Sequence, residues 1–307
     1  MSDIILRTAN LGKHYKKRWA AQDINLEVHR GDVFGFLGPN GAGKSTSIRM
    51  ILSLIKPTTG TVELFGHDLF KQRELALQNV AGIVEKPDFY LYLTAYRNMQ
   101  IVGSLTLGKA PADKKIMETL DIVGLSERAL DKVKTFSHGM KQRLGIAQAL
   151  LCDPQLIMLD EPTNGLDPQG MKEVRELIVR LTTERGITVF LSSHLLNEVE
   201  QVATRMAIIN KGKMIVQGSV EELLKVNANK FLFHVEPIKK TLGVLAKIKT
   251  VSEIRHTEEG IIATIHPKNI PSVINELVKA KCKVFSVQPK HTLEEYFLTV
   301  TENHEAP

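Results

Sequence analysis

The run GPNGAGKST at residues 38–46 fits the pattern G-x-x-x-x-G-K-[ST], and its flanks restrict what the surrounding chain can become. It follows an apolar stretch, VFGFLG, that reads as a strand, and it precedes STSIRMILSLI, whose apolar spacing is helical. A strand, a glycine-rich turn and a helix in that order gather backbone N–H groups and a helix N-terminus around one point, which suits phosphate. Gly38, Gly41 and Gly43 let the backbone wrap closely around phosphate oxygens, with Pro39, Asn40, Ala42 and Thr46 completing the loop. Lys44 supplies a point charge for β- and γ-phosphates, and Ser45 a hydroxyl for Mg2+.

A second motif belongs to the same chemistry. LIMLDEP, residues 156–162, is an apolar strand that ends in two adjacent carboxylates. Consecutive strand residues point to opposite faces unless the strand end twists, so the two acids should have different jobs. Asp160 is the candidate for holding Mg2+, directly or through water, and Glu161 the candidate general base that polarises the attacking water.

Around these motifs the chain alternates. IILRTA, INLEV, LIMLD, ITVFLSSH and MAIINKGKMIVQG have strand character, and PQGMKEVRELIVRLTTERG is helical, the alternation of a mostly parallel α/β sheet. Residues 57–85 read as strand-like and turn-rich, and about 88–150 as a helical insertion. One feature of that insertion is electrostatic: a helix that starts at Ser137 has Lys141 and Arg143 in its first two turns, where the dipole disfavours cations, which predicts an anion nearby. From 220 to 307 the order changes to strand, helix, strand, strand, helix, strand, a small α+β unit of the ferredoxin-like kind. The expected domains are therefore 1–219 and 220–307.

Composition excludes several classes. The formal net charge of +6 is mild, and residues 220–307 hold twelve Lys/Arg against eleven Asp/Glu, no footprint for nucleic acid. Cys152 and Cys282 lack CxxC spacing, so neither a disulfide framework nor a zinc site is expected, and a reduced, cytosolic setting follows. No apolar run of spanning length occurs, and the start lacks the apolar core of a cleaved signal.

Over residues 4–218 the chain resembles the ATP-binding cassette family, because a whole set of motifs occurs in order. An aromatic, Tyr15, lies 29 residues before Lys44; the phosphate loop follows; GIVEKPDFYLYLT (82–94) stands at the glutamine loop; FSHGM (136–140) stands at the signature. LIMLDEP, TNGLDP (163–168) and VFLSSHLLNEV then match the strand carboxylates, the D-loop and the switch histidine. The resemblance implies a P-loop NTPase fold: a RecA-like core, an antiparallel β subdomain, a helical signature insertion and, here, an appended α+β domain. It implies that Tyr15 stacks on adenine (with Trp19 as the substitute), that His194 contacts the γ-phosphate and fixes the attacking water, and that Ser137 and Gly139 reach the γ-phosphate of ATP held by a second copy. Asp167 would lie against that second copy; as plain sequence it also reads as an N-cap before Pro168.

Two departures stand out: His138 replaces the usual glycine of the signature, and Glu85 replaces the glutamine. An ionised glutamate keeps an oxygen for Mg2+ but loses the amide donor. Glu85 and the following KPDFYLYLTAYRN resemble the exporter subgroup of bacitracin-resistance-type and gliding-motility-type ATPases. That subgroup implies ATP hydrolysis with Mg2+, an ATP-sandwich dimer, and an integral membrane permease as partner, with Phe89, Tyr90 and Tyr92 at its interface. The chain would then be cytoplasmic and peripheral at the inner face of the membrane, and nucleic acid is not an expected partner. The C-terminal QPKHTLEEYFLTVTE resembles the end of the accessory domain of such exporters. The competing readings are a soluble ATPase switch acting on a ribosome or other soluble partner, and a regulatory module that ATP merely closes.

Overall fold

The computed structural model describes residues 3–289 except 17 and 226–228. The chain divides into two compact units, Met1–Gly218 and Ser219–Pro307.

The first unit opens with β1 (Ile4–Tyr15), β2 (Arg18–Ile24) and β3 (Glu27–His29), followed by β4 (Val33–Leu37), the glycine loop and α1 (Lys44–Ile51). Then come β5 (Thr59–Leu64), β6 (His67–Asp68), α2 (Arg73–Leu77) and β7 (Val80–Ile83). The helices α3 (Ala95–Leu107), α4 (Asp113–Ile122) and α5 (His138–Leu150) form the insertion. The core resumes with β8 (Leu156–Leu159), α6 (Pro168–Arg185), β9 (Thr188–Ser193), α7 (Leu196–Glu200), β10 (Arg205–Asn210) and β11 (Lys213–Ser219). Within the stretch 57–85, read as strand and turn, α2 is the exception; its single buried residue is Ala76, too little apolar periodicity to announce a helix.

Among the described residues eleven strands make one sheet, ordered β6-β5-β1-β2-β11-β10-β4-β9-β8-β7 with β3 beside β1. The run from β10 to β7 is parallel and the run from β6 to β2 antiparallel. Burial explains the difference in sequence texture. The parallel strands VFGFL, LIML and TVFLSS are buried at every position, as strands covered on both faces must be, whereas β5 is buried only at Val62 and Leu64. Phe34 and Phe36 of β4 meet Phe190 of β9 with ring centroids 5.4 and 5.6 Å apart, which locks the centre of the sheet. The C-terminal ends of β4, β8 and β9 consequently lie side by side, the edge at which open parallel sheets bind ligands.

Local chemistry sets the helix ends. Asp167 caps α6 by accepting from Gly170 N at 3.1 Å, Pro168 takes the first turn, and Gly186 closes the helix at φ 65°. Thr94 caps α3 in the same way, accepting from Arg97 N.

The second unit contains α8 (Val220–Lys225), β12 (Lys230–Glu236), α9 (Ile238–Leu245), β13 (Val251–Thr257), β14 (Gly260–Ile265), α10 (Ile270–Lys279) and β15 (Lys283–Pro289). Its four strands form an antiparallel sheet ordered β13-β14-β12-β15. Phe231, Phe233 and Val235 alternate along β12, as do Ile261, Ala263 and Ile265 along β14, and this face packs with Leu245, Val273 and Leu277 of the helices. HTLEEYFLTVTE lies outside the described residues.

Candidate functional site

The phosphate loop leaves the end of β4 and is wedged between neighbours. A Cβ at Gly38 would sit 2.2 Å from the carbonyl oxygen of Ile209 on β10, so no larger residue fits there. Gly43, at φ 108°, combines a left-handed backbone with a position where a Cβ would fall 2.3 Å from the Ala20 carbonyl oxygen. Gly38 N donates to Ser193 O at 3.3 Å, and Ala42 N to Pro39 O at 3.1 Å, which closes the turn. Lys44 is only 5% exposed; its Nζ donates to Gly38 O at 2.7 Å and Pro39 O at 3.2 Å and lies 3.1 Å from Glu161 Oε1. Asn40, Gly41, Gly43, Lys44, Ser45 and Thr46, with Arg18, Ala20, Glu161 and Asn164, line an open cavity of about 380 Å³, the size of a small-molecule site.

The two carboxylates diverge where β8 ends. Asp160 is buried and accepts from Ser192 Oγ at 2.6 Å. Glu161 turns into the left-handed region at φ 51°, and its carboxylate aims at the cavity, with Oε2 2.7 Å from His194 Nδ1. Glu161 therefore links Lys44 to His194, with Asp160 held by Ser192 beside it, at one end of three adjacent strands. The oxygen donors here, the Asp160 carboxylate and the Ser45 hydroxyl, are hard ligands of the kind Mg2+ takes. Among the described residues no cluster of three or more His, Cys, Asp or Glu is placed to hold a metal ion.

Other candidates are not brought to this cavity. Tyr15 lies at the β1–β2 turn, 49% exposed, with Lys13 Nζ 5.3 Å from its ring centroid; its paired neighbour Arg18 is in the cavity wall and Tyr15 is not. Glu85, at φ 71°, directs its carboxylate to Arg49 of α1 rather than to Ser45 or Asp160. Ser137 is the N-cap of α5, accepting from Met140 N at 3.2 Å, and Gly139 packs where a Cβ would come within 3.3 Å of Gly170 Cα on α6. Ser137, Gly139 and Asp167 thus share one neighbourhood at the starts of α5 and α6, and none of the three lines the phosphate-loop cavity.

The cations of α5 divide in a way that periodicity does not reveal. Arg143 is answered internally: its guanidinium donates to Val123 O at 2.8 Å and lies 3.1 Å from Glu173 on α6, so an external anion is not needed for it. Lys141 instead lines a small pocket of about 120 Å³ with His138, Gln142 and Asn164. No motif singles out Arg18 and Asn164, which line the cavity, or Arg49 and Ser192, which hold Glu85 and Asp160. Ser192 carries little signal in the sequence, because β9 also holds Thr188 and Ser193 and nothing local distinguishes one of them.

A family model described as ABC transporter matches residues 21–164. The uncharacterized ABC transporter ATP-binding protein YhcH of Bacillus subtilis is 40% identical over 97% of this chain and 96% of its own length. The chain belongs to the ABC transporter family. As an ATP-binding subunit of that family it is an ATPase, with the cassette fold. The bacitracin transport ATP-binding protein BcrA of Bacillus licheniformis is 40% identical over 96% of both chains. A dimeric cassette solved in a post-hydrolysis state with ADP and Pi is 25% identical, with a TM-score of 0.63 over 70% of this chain and 99% of that one. Among the described residues of this ATP-binding subunit, no helix is long and apolar enough to cross a membrane.

Proposed function

We propose that the chain is the ATP-hydrolysing subunit of an exporter, dimerising on ATP to drive a separate membrane permease. The observation that carries the hydrolytic part is the Glu161 carboxylate, held between Lys44 and His194 at the mouth of the phosphate loop. Loop N–H groups and Lys44 bind the phosphates, Glu161 orients a water and takes its proton, and His194 holds the Glu161 carboxylate in place and offers its ring to the γ-phosphate. Ser45 and Asp160, with Glu85 from its loop, are the residues that would hold Mg2+, which when bound neutralises charge developing on the phosphates.

Ser137 and Gly139 complete the site of a second copy, and Asp167 lies against that copy. That none of the three lines the cavity around Lys44 of its own chain supports this reading, since an ATP sandwich needs the two half-sites on different protomers. Tyr15 stacks on adenine from the β1–β2 turn. Tyr90, Leu91 and Tyr92, all about half-exposed or more and placed by hydrogen bonds between Asn98 and Tyr90, offer an apolar patch to the permease. The subunit would sit at the inner face of the membrane through that permease, with residues 220–307 as an accessory domain. Export is favoured because relatives of full length are named for bacitracin transport and linearmycin resistance.

The test is to trap the tagged Glu161→Gln chain with Mg2+ and ATP in solubilised cells and identify what co-purifies. A multi-span membrane protein at comparable stoichiometry supports the reading; ribosomal or other soluble proteins alone refute it.

A further inference from the structure

Ser192 carries a hydroxyl on β9, a strand buried at all six positions, with no exposed surface of its own. A buried hydroxyl must find partners, and a serine has one hydrogen to give and lone pairs to receive. Both are used here on the two consecutive residues that follow the neighbouring strand β8. Ser192 Oγ donates to Asp160 Oδ1 at 2.6 Å and accepts from Glu161 N at 2.9 Å.

We propose that Ser192 is a positioning residue for ATP turnover, a single hydroxyl that locks the metal-side and water-side carboxylates into one unit; this rests on the roles given above to Asp160 and Glu161. The bond to Oδ1 fixes the plane of the Asp160 carboxylate. The bond from Glu161 N acts where the backbone leaves the strand into the left-handed region at φ 51°, a conformation that surroundings must impose on a non-glycine residue. Holding that N–H fixes the direction in which Cα projects the side chain, and so the reach of Glu161 to Lys44 and His194. Ser192 also stands two residues before His194 at the same strand end. Movement of the end of β9 therefore shifts the histidine and both acids together, which ties the contact to the γ-phosphate to the geometry of the water and the ion. An apolar residue would fill the same buried place without these bonds, leaving Asp160 and the Glu161 amide without their partner.

The experiment uses the full chain and measures three things: ATP turnover against ATP and Mg2+, binding of a fluorescent ATP analogue with and without Mg2+, and thermal unfolding. Ser192→Ala should lower kcat by about tenfold to a hundredfold, the scale of a slightly misplaced reacting group, with a smaller change in KM for ATP. It should also shrink the gain in analogue affinity that Mg2+ produces, and Ser192→Thr, which keeps the hydroxyl, should recover most of both. If Ser192→Ala does not fold, Ser192→Cys, of similar volume but a weak donor, takes the same readouts. Wild-type kcat and Mg2+ dependence in the folded variant overturn the proposal, as does a folded Ser192→Thr protein that is as defective as the alanine variant. Asp160→Asn and Glu161→Gln run alongside. If they are defective while Ser192→Ala is not, the proposal fails alone; if they too behave as wild type, the reading of the site fails and the proposal falls with it.

Discussion

His194 Nδ1 stands 2.7 Å from Glu161 Oε2 across the gap between the ends of β9 and β8. Each of the two groups restricts the other: the ring anchors one carboxylate oxygen while Lys44 holds the other at 3.1 Å. Replacing Glu161 by Gln removes the base but keeps the shape. Turnover should fall about 10²- to 10⁴-fold with ATP binding retained, measured by phosphate release beside equilibrium binding. His194→Ala should also lose turnover, and a variant that keeps wild-type kcat would show that the ring does not act on the water.

Dimerisation can be separated from hydrolysis. The Glu161→Gln chain should form an ATP-dependent dimer visible by light scattering, and adding Ser137→Arg should abolish it by placing a large side chain at the start of α5. A dimer that survives in the double variant would remove Ser137 from the interface.

Arg143 joins α5 to α6 through Glu173 and to the end of α4 through the Val123 carbonyl. Arg143→Ala removes the guanidinium from that carbonyl and from Glu173 Oε2, with Gln169 left donating to Oε1, so unfolding in urea should show a loss of about 1–3 kcal/mol. Lys141→Ala, which touches no such network, should leave stability within about 0.5 kcal/mol.

If Glu85 takes the metal-side role proposed for it, Arg49 competes with the ion for its carboxylate. Glu85→Gln should raise the Mg2+ concentration needed for half-maximal ATPase, and Arg49→Ala should lower it by a few-fold, since an exposed pair is worth about 0–1 kcal/mol. Unchanged Mg2+ dependence in Glu85→Gln would exclude Glu85 as a metal-side ligand.

Burial raises the pKa of the Cys152 thiol, with Asp153 adding to the effect and Lys115 opposing it. A raised pKa means less thiolate at neutral pH. Iodoacetamide should therefore label Cys152 more slowly than a free thiol at pH 7.5 and catch up as the pH is raised. A Cys152→Ser variant identifies the labelled site, since the other thiol, Cys282, is buried where Cys152 is partly exposed.

Much of this protein is local and so was legible in its residues. The phosphate loop is contiguous, its glycines and Lys44 act through their own backbone and first helical turn, and LIML and VFGFL announce buried parallel strands by their unbroken apolar character. Asp167 and Ser137 were readable as caps because a cap bonds to an N–H only three residues away. The family follows from the same ordered motifs.

What tertiary structure alone decided are the contacts between residues far apart in the chain. Strand order places β9 between β4 and β8, and only that adjacency brings Ser192 to Asp160 across 32 positions and His194 to Glu161 across 33. The same holds for Arg143, whose charge looked as if it required an external anion until α6 supplied Glu173, and for Glu85, whose loop geometry turns it toward Arg49. Sequence periodicity reports which face of an element is buried, but the pairing of charges depends on which elements become neighbours, and that is a property of the folded sheet.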